Sequence, residues 1–192
     1  MEQIQLIQFS DFIHDLMRVA LTQTLNSYPA MPDRIEDLQE MPLNLDCIRQ
    51  ANIDHHLALI SAAKACDVEM ICLGELFPWP YFPLHKSPIW LDAAEDIHDS
   101  PSLKAIQKAA AQYQLHIIAP IYELDPLTGN RYNTAVYVNH QGKMLGKYRK
   151  THIPEGRNEQ AGFYEKFYFE PNNGKQNNHS PHNISCSPYF PV

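Results

Sequence analysis

The apolar run VEMICLG, residues 68–74, places the strongest constraint on the fold, because such a run is typical of a strand buried on both faces. Before it, apolar positions recur at helical spacing from residue 44 to residue 66. A second helix is predicted for residues 100–114, with Ser100 as the N-cap and Pro101 at the first helical position. The other predicted elements are a strand at 18–24, a strand at 115–124 and a hairpin over 133–150. This alternation predicts an α/β layered domain with a mixed sheet.

Composition limits the class of protein. The chain has 192 residues, of which 44% are hydrophobic and 19% charged, so it is long enough for one globular domain with a real core. Its formal net charge of -7 argues against a nucleic-acid partner. No apolar run approaches the roughly 20 residues that span a bilayer, so no membrane partner is expected.

Targeting signals, cysteines and histidines narrow the class further. The N-terminus lacks the basic start and the apolar centre of a signal peptide. The four cysteines contain no CxxC pair, which indicates reduced thiols in a cytoplasmic protein. His179 and His182 form the best histidine cluster, but a second pair of ligands at useful spacing is missing. No metal site is therefore predicted.

The pattern along the chain predicts three parts. Residues 1–16 are predicted to be an N-terminal extension with helical structure, residues 17–171 the folded domain, and residues 172–192 a polar, flexible tail or insertion. Within the domain, the proline-containing residues 25–43 predict an irregular insertion. Residues 75–100 are rich in aromatic residues and proline, and predict a long loop.

The basic stretch GKYRKTHIPEG, residues 146–156, contains one cation that stands out. A strand over residues 143–150 would place alternate side chains on opposite faces. One face, which is polar and predicted to point outward, would carry Lys143, Leu145, Lys147 and Arg149. The other, which is more apolar and predicted to point inward, would carry Met144, Gly146, Tyr148 and Lys150. An inward ammonium needs a partner or a function, although a lysine that snorkels to water from a strand end remains an alternative.

Two carboxylates raise the same question. Glu75 follows the buried strand directly, at the end of the strand where open α/β sheets bind ligands. A loop or helix-cap carboxylate is the alternative. The segment LFPWPYF that follows Glu75 would supply aromatic walls for a pocket. Glu165 lies in the aromatic segment GFYEKFYFE, where the surrounding rings could also be plain core.

These segments resemble motifs of a known family. GELFPWPYF resembles the first motif of the nitrilase superfamily of carbon-nitrogen hydrolases, and GKYRKTHIP resembles the second. YEKFYFEP is similar to the segment that follows in the branch acting on N-carbamoyl amines and N-carbamoyl amino acids. The resemblance covers roughly residues 17–171. It implies that this chain is the N-terminal part of a four-layer α-β-β-α sandwich with mixed sheets.

The resemblance also implies an activity and the residues that perform it. The family hydrolyses non-peptide C–N bonds with a thiol nucleophile, and needs neither a metal nor an organic cofactor. By motif, Glu75 would be the general base, Lys150 the lysine that stabilises the oxyanion, and Glu165 a second carboxylate of the site. The residues expected to bind a small amide or carbamoyl substrate are Trp79, Tyr81, Phe82 and Tyr168. The resemblance implies a homo-oligomer for the full-length protein.

One element of the family pattern is absent from this sequence. The nucleophilic cysteine belongs to a third motif, G-x-x-I-C, which does not occur here, and Cys186 in NISCSPYF is interpreted as a structural or surface cysteine. The expectation is therefore a chain that stops before its nucleophile and is inactive alone. The alternative is a non-catalytic remnant or an interaction module on the same fold. A nucleotide-binding protein is disfavoured because no GxGxxG or GxxxxGK[ST] loop is found.

Overall fold

The computed structural model describes the backbone of residues 4–7 and all atoms of residues 17–32, 44–157 and 162–172. Its strands are β1 (Ile4–Ile7), β2 (Val19–Thr22), β3 (Met70–Cys72), β4 (His116–Leu124), β5 (Arg131–Val138), β6 (Met144–Arg149), β7 (Glu155–Arg157) and β8 (Gly162–Tyr164). Its α-helices are α1 (Leu45–Ala65), α2 (Pro101–Tyr113) and α3 (Glu165–Tyr168). Two 3-10 helices, Phe82–Leu84 and Pro88–Ala93, lie in the loop that follows β3.

The main sheet is mixed. Its strand order is β1-β2-β3-β4-β5-β6, with β2, β3 and β4 parallel and the other neighbours antiparallel. Parallel neighbours require a crossover connection, and α1 and α2 supply the two that are needed. The predicted α/β class with a mixed sheet is confirmed.

Both long helices begin where the sequence predicts. The side chain of Asn44 accepts a hydrogen bond from the Cys47 amide and caps α1. The Ser100 hydroxyl accepts from the Leu103 amide and caps α2, with Pro101 at the first position. Neither helix has the length and hydropathy that a membrane span requires, and the same holds for every helix of the described residues.

The helices cover one face of the sheet. Alternate residues of β4, namely Ile117, Ala119 and Ile121, pack with apolar residues of α1 and α2 in one core. Neighbouring residues of β4 point to the opposite face, which also carries Leu21 of β2 and Tyr148 of β6, both substantially exposed. The sheet therefore has a covered face, called here the helix face, and an open face among the described residues.

The N-terminal prediction is wrong where it can be compared. Residues 4–7 form a strand that pairs with β2 in antiparallel register, not a helix. Residues 25–32 contain no helix or strand, as predicted for the irregular insertion, and residues 33–43 lie outside the described residues. His179, His182 and Cys186 also lie outside them, so the predicted tail and the domain boundaries stay predictions.

The predicted exposure of β6 is wrong for Arg149 and Tyr148, whereas Lys143 and Lys147 are exposed as predicted. Lys147 lies opposite Val136 and Arg149 opposite Thr134, which places both residues on the helix face. Arg149 is buried, and Tyr148, assigned inward by the sequence pattern, is half exposed. The register is shifted by a β-bulge between Tyr137 and Val138, directly before the hairpin turn.

The buried Arg149 and the partly exposed Lys147 have anionic partners on the helix face. Glu123 accepts from Arg149 Nε at 2.9 Å and Nη2 at 2.5 Å, and from Lys147 Nζ at 2.5 Å. Arg149 Nη2 also donates to Asp125 at 3.2 Å, and Thr134 Oγ1 donates to Glu123 at 2.6 Å. We call these five residues the Glu123 network. Because its charges are paired, their burial is tolerated, which the alternation of β6 alone could not indicate.

Candidate active site

Glu75 lies just beyond the end of β3, where the chain leaves the sheet. The Gly74 amide donates to Thr22 Oγ1 at 2.9 Å, and the Phe77 amide donates to the Pro120 carbonyl at 3.0 Å. Between them, Leu76 is fully buried with a left-handed φ of 57°, which is costly for a residue with a branched side chain. The backbone is thus fixed on both sides of Glu75, whose side chain is 43% exposed.

Lys150 reaches Glu75 from the end of β6. Its backbone amide donates to the Asn133 carbonyl at 2.8 Å, which continues the β5–β6 pairing by one residue on the open face. Its ammonium donates to Glu75 Oε1 at 3.0 Å and to both oxygens of Glu165, at 3.0 and 2.8 Å. The side chain of Lys150 is 31% exposed. One cation therefore bridges two carboxylates.

Glu165 begins α3, and its side chain is only 3% exposed. Besides Lys150, it accepts a hydrogen bond from the Tyr81 hydroxyl at 2.6 Å. Burial lowers the pKa of Lys150, but the hydrogen bonds to Glu165 and Glu75 outweigh it and the net shift is upward. Burial and the bond to Glu165 both raise the pKa of Tyr81. Lys150 is thus a cation and Tyr81 a neutral donor at physiological pH.

The three candidate catalytic residues of the sequence analysis are therefore in direct contact. A partly exposed carboxylate beside an ammonium can accept a proton from one group while the ammonium stabilises negative charge on another. The assignment of these roles stays a prediction, because the geometry alone does not identify a reaction. Within the parts of the chain that the structure describes, no group of three or more His, Cys, Asp or Glu residues could hold a metal ion.

The four aromatic residues predicted to bind substrate occupy two kinds of position. Trp79, Phe82 and Tyr168 are buried in a second core beneath the 75–100 loop, where the Phe82 ring stacks on Trp90. The Tyr168 hydroxyl donates to the His85 carbonyl at 2.5 Å and accepts from the Ser87 amide at 2.8 Å. Tyr81 alone among the four contacts a carboxylate of the site. Substrate contact by these residues remains a prediction.

Sequence reasoning missed Asn133. This buried residue of β5 donates a hydrogen bond from Nδ2 to Glu75 Oε1 at 2.6 Å. The available signal was an amide side chain at the start of the strand segment NTAVYV, where a buried polar side chain requires a partner. Its position opposite Lys150 was hidden by the bulge in the hairpin.

The three described cysteines do not complete the site. Cys47 and Cys66 are exposed on or after α1, and Cys72 is partly buried in β3. Cys72 Sγ donates weakly to the carbonyl of its neighbour Leu73, and burial raises the pKa of its thiol. A raised pKa disfavours the thiolate that acts as a nucleophile. No hydrogen bond joins a cysteine to Glu75 or Lys150 within the described ranges.

Comparison with known proteins places the chain in a family. The model of the family described as carbon-nitrogen hydrolase matches residues 41–184. Beta-ureidopropionase of Arabidopsis thaliana is 36% identical over 97 residues, which cover 50% of this chain and 24% of that protein. Citrullinase of Francisella tularensis is 34% identical over 114 residues, covering 59% of this chain and 37% of that protein. N-carbamoylputrescine amidase of Oryza sativa is 29% identical, covering 65% and 39% respectively. The matches thus span well under half the length of these relatives.

Solved structures agree on the fold. A carbon-nitrogen hydrolase from Helicobacter pylori matches with a TM-score of 0.56 and 32% identity, covering 65% of this chain and 40% of that one. An amidase from Nesterenkonia sp. matches with a TM-score of 0.58 over 81% of this chain and 48% of that one, and at 18% identity this shows the fold alone. The nitrilase-like fold expected from the resemblance is confirmed.

Proposed function

The chain belongs to the carbon-nitrogen hydrolase family, and on this premise we propose that the protein hydrolyses a linear amide or an N-carbamoyl amine. Glu75 is the general base and Lys150 stabilises the oxyanion. The observation that carries the proposal is the contact of Lys150 Nζ with both Glu75 and Glu165, at distances of 2.8 to 3.0 Å. It brings the two family motifs together at one point.

The proposed reaction begins with a cysteine thiol of the intact protein, a role that no described cysteine fills. Glu75 accepts the thiol proton, the sulfur attacks the carbonyl carbon, and a tetrahedral oxyanion forms. Glu75 then gives the proton to the leaving amine, which departs and leaves a thioester. Water hydrolyses the thioester after Glu75 removes its proton. For a carbamoyl substrate the products are an amine, ammonia and carbon dioxide.

Lys150 is suited to the oxyanion role by its charge and by its supports. Two hydrogen bonds to the buried Glu165 hold its ammonium in place before substrate binds. A fixed donor needs little reorganisation when negative charge develops in the transition state, and one such donor contributes roughly 3–4 kcal/mol. The Tyr81 hydroxyl in turn donates to Glu165, so Tyr81 fixes Glu165 and Glu165 fixes Lys150.

The proposed substrate class is N-carbamoyl amines. Three of the relatives are named for beta-ureidopropionate, citrulline and N-carbamoylputrescine. Among the four aromatic residues, Tyr81 is partly buried and contacts Glu165, so its ring is the one proposed to line the aliphatic chain between the carbamoyl group and a charged end. The structure describes no residue that selects that end, so the proposal is limited to the class.

The test uses the complete product of the gene. Ammonia release is measured with N-carbamoylputrescine and with 3-ureidopropionate, for wild type, Glu75→Gln and Lys150→Met. Each variant is expected to lower kcat by at least about a hundredfold. Matched controls are Asp54→Asn on α1 and Lys143→Met in the hairpin, which change exposed side chains without a hydrogen bond to Glu75, Lys150 or Glu165 and should leave kcat unchanged. Full turnover by Glu75→Gln would contradict the proposal.

A further inference from the structure

We propose that Asn133 is a positioning residue which holds the Glu75 carboxylate by its Oε1 atom, so that Oε2 is the oxygen that takes and returns the proton. This rests on the proposed function, because it specifies which atom of the general base reacts. It adds a residue that belongs to neither family motif quoted above. Asn133 touches Glu75 but not the reacting atoms, and therefore acts through Glu75.

Asn133 is bonded to both residues of the catalytic pair. Its side-chain Nδ2 donates to Glu75 Oε1 at 2.6 Å, and its backbone carbonyl accepts from the Lys150 amide at 2.8 Å. One buried residue of β5 therefore sets the position of the general base and the position of the lysine backbone together. The two contacts use different parts of the residue, so a side-chain substitution can remove the first and keep the second.

The hydrogen-bond donors around Glu75 are unevenly distributed. Oε1 receives two of them, Asn133 Nδ2 and Lys150 Nζ. Across residues 17–32, 44–157 and 162–172, none of the hydrogen bonds to the Glu75 side chain ends on Oε2. Since 43% of the side chain is exposed, Oε2 can meet a substrate or a nucleophile without losing an existing bond. In the proposed reaction the thiol proton moves to Oε2, makes a neutral acid, and leaves with the amine.

The Asn133 amide also keeps Glu75 from pairing too closely with Lys150. A carboxylate and an ammonium without other constraints form the tightest pair that their side chains allow. Such a pair would occupy the base and the oxyanion donor with each other. Because Asn133 fixes Oε1 from the β5 side, Lys150 shares one oxygen of Glu75 and directs two bonds to Glu165. Only the amide NH₂ fits this position, because an oxygen facing the carboxylate would repel it.

The first experiment measures kcat, KM and the thermal midpoint for Asn133→Leu. The leucine has a similar shape and donates no hydrogen bond. We expect kcat to fall by about ten- to hundredfold while KM changes by less than about threefold, since the base is misplaced but substrate binding is not. The matched control is Asn139→Leu, another buried asparagine of the same hairpin, whose Oδ1 accepts from the Gln141 and Lys143 amides in the turn. It should lower the thermal midpoint and leave kcat unchanged.

A double-mutant cycle then separates positioning from general destabilisation. In the Glu75→Gln background, Asn133→Leu should have no further effect on kcat, because the residue through which it acts is already lost. An equal loss of kcat in both backgrounds would overturn the inference. If Glu75→Gln itself leaves turnover intact, the proposed function fails instead, so the two failures are distinguishable.

Thermal midpoints of a second cycle, built from Asn133→Leu and Glu75→Leu, test the contact without any turnover. The shifts caused by these two substitutions should be non-additive if the two side chains are bonded in solution, because leucine at either position removes the hydrogen bond. Additive shifts would overturn the inference. Should Asn133→Leu not fold, Asn133→Ala removes the same donor without the bulk and is subject to the same criteria.

Discussion

Arg149 and Lys150 are neighbours in sequence, yet they belong to two clusters of opposite character. Arg149 lies on the helix face in the Glu123 network, where the side chains of Arg149 and Glu123 are 9% and 1% exposed. Lys150 lies on the open face with Glu75 and Glu165, where the carboxylate proposed as the base is substantially exposed. Both clusters consist of carboxylates that accept short hydrogen bonds from lysine or arginine side chains. They differ in whether an acceptor atom remains open to incoming groups.

That difference separates a structural cluster from a reactive one. In the Glu123 network both oxygens of the central carboxylate are bonded, Oε1 to Lys147 and Arg149 and Oε2 to Arg149 and Thr134. A carboxylate satisfied in this way has no site for a further proton donor, so the network joins β4, β5 and β6. In the other cluster, both oxygens of Glu165 accept hydrogen bonds, whereas only Oε1 of Glu75 does so. A carboxylate oxygen without a hydrogen-bond donor is a better indication of a reactive group than charge or burial alone.

The largest stability effect is expected from breaking the Glu123 network. Arg149→Met leaves Glu123 and Asp125 buried without their guanidinium, and should lower the free energy of unfolding by about 3–5 kcal/mol. Urea titration measures the change. The double variant Arg149→Met with Glu123→Gln should lose less than the sum of the two single losses, because no unpaired buried charge remains at Glu123. Additive losses would mean that the two side chains do not interact in solution.

A smaller loss of stability should distinguish Lys150, which follows the end of β6, from Lys147 within the strand. Lys150→Met leaves the buried Glu165 with Tyr81 as its described side-chain donor, and should cost about 1–2 kcal/mol once the partial exposure of Lys150 is taken into account. Lys147→Met leaves Glu123 bonded to Arg149 and Thr134, and should cost less than about 1 kcal/mol. Urea titration of both variants gives the comparison. If Lys147→Met lost more free energy of unfolding than Lys150→Met, the ion pair of Lys147 with Glu123 would be the stronger one, contrary to this prediction.

The smallest effect is the pH dependence of stability, in which the clusters should act at opposite ends of the scale. Burial raises the pKa of Glu123, but hydrogen bonds from Arg149 and Lys147 outweigh it, and the pKa lies below its ordinary value of 4.5. Its contribution is therefore present above pH 4.5 and is lost as the pH falls through the lowered pKa. The pKa of Lys150 is raised above 10.5, so its contribution is present below pH 10.5 and is lost as the pH rises further.

Thermal midpoints measured across pH for two variants test this assignment. Arg149→Met with Glu123→Gln should flatten the acid limb and leave the alkaline limb unchanged. Lys150→Met should flatten the alkaline limb. If the Lys150 variant altered the acid limb in place of the alkaline one, the upward pKa shift of Lys150 would be wrong in sign.

Local pattern was enough to predict the elements that surround the site. The apolar run at 68–74 and the helical spacing before it identified β3 and α1, and the cap at Ser100 identified the start of α2. The ends of β3 and β6 identified Glu75 and Lys150 separately as candidates, and the resemblance to the family assigned them to one site. The strand Ile4–Ile7 was missed because its pairing with β2 depends on tertiary contact, which local periodicity does not report.

The environment of β6 could not be predicted from alternation. Alternation along a strand shows which side chains share a face. Which of the two faces is buried depends on partners distant in sequence. Arg149 is buried because Glu123 and Asp125, more than twenty residues earlier, neutralise it. Asn133 was missed for a related reason, since counting from the hairpin turn without the bulge places Arg149 opposite it instead of Lys150. Long-range charge pairing and a register irregularity therefore limited the prediction.

The bulge between Tyr137 and Val138 has a consequence for how this hairpin tolerates insertions and deletions. With the turn pairing kept and the bulge removed, each residue of β6 would move by one place along β5. Arg149 would then lie opposite Asn133 and Tyr148 opposite Thr134. The guanidinium would enter the open-face cluster, and Glu123 would face a phenol in place of its strongest cation. A lost or gained codon in this hairpin would therefore exchange the residues of both clusters together, whereas most single substitutions alter one cluster at a time.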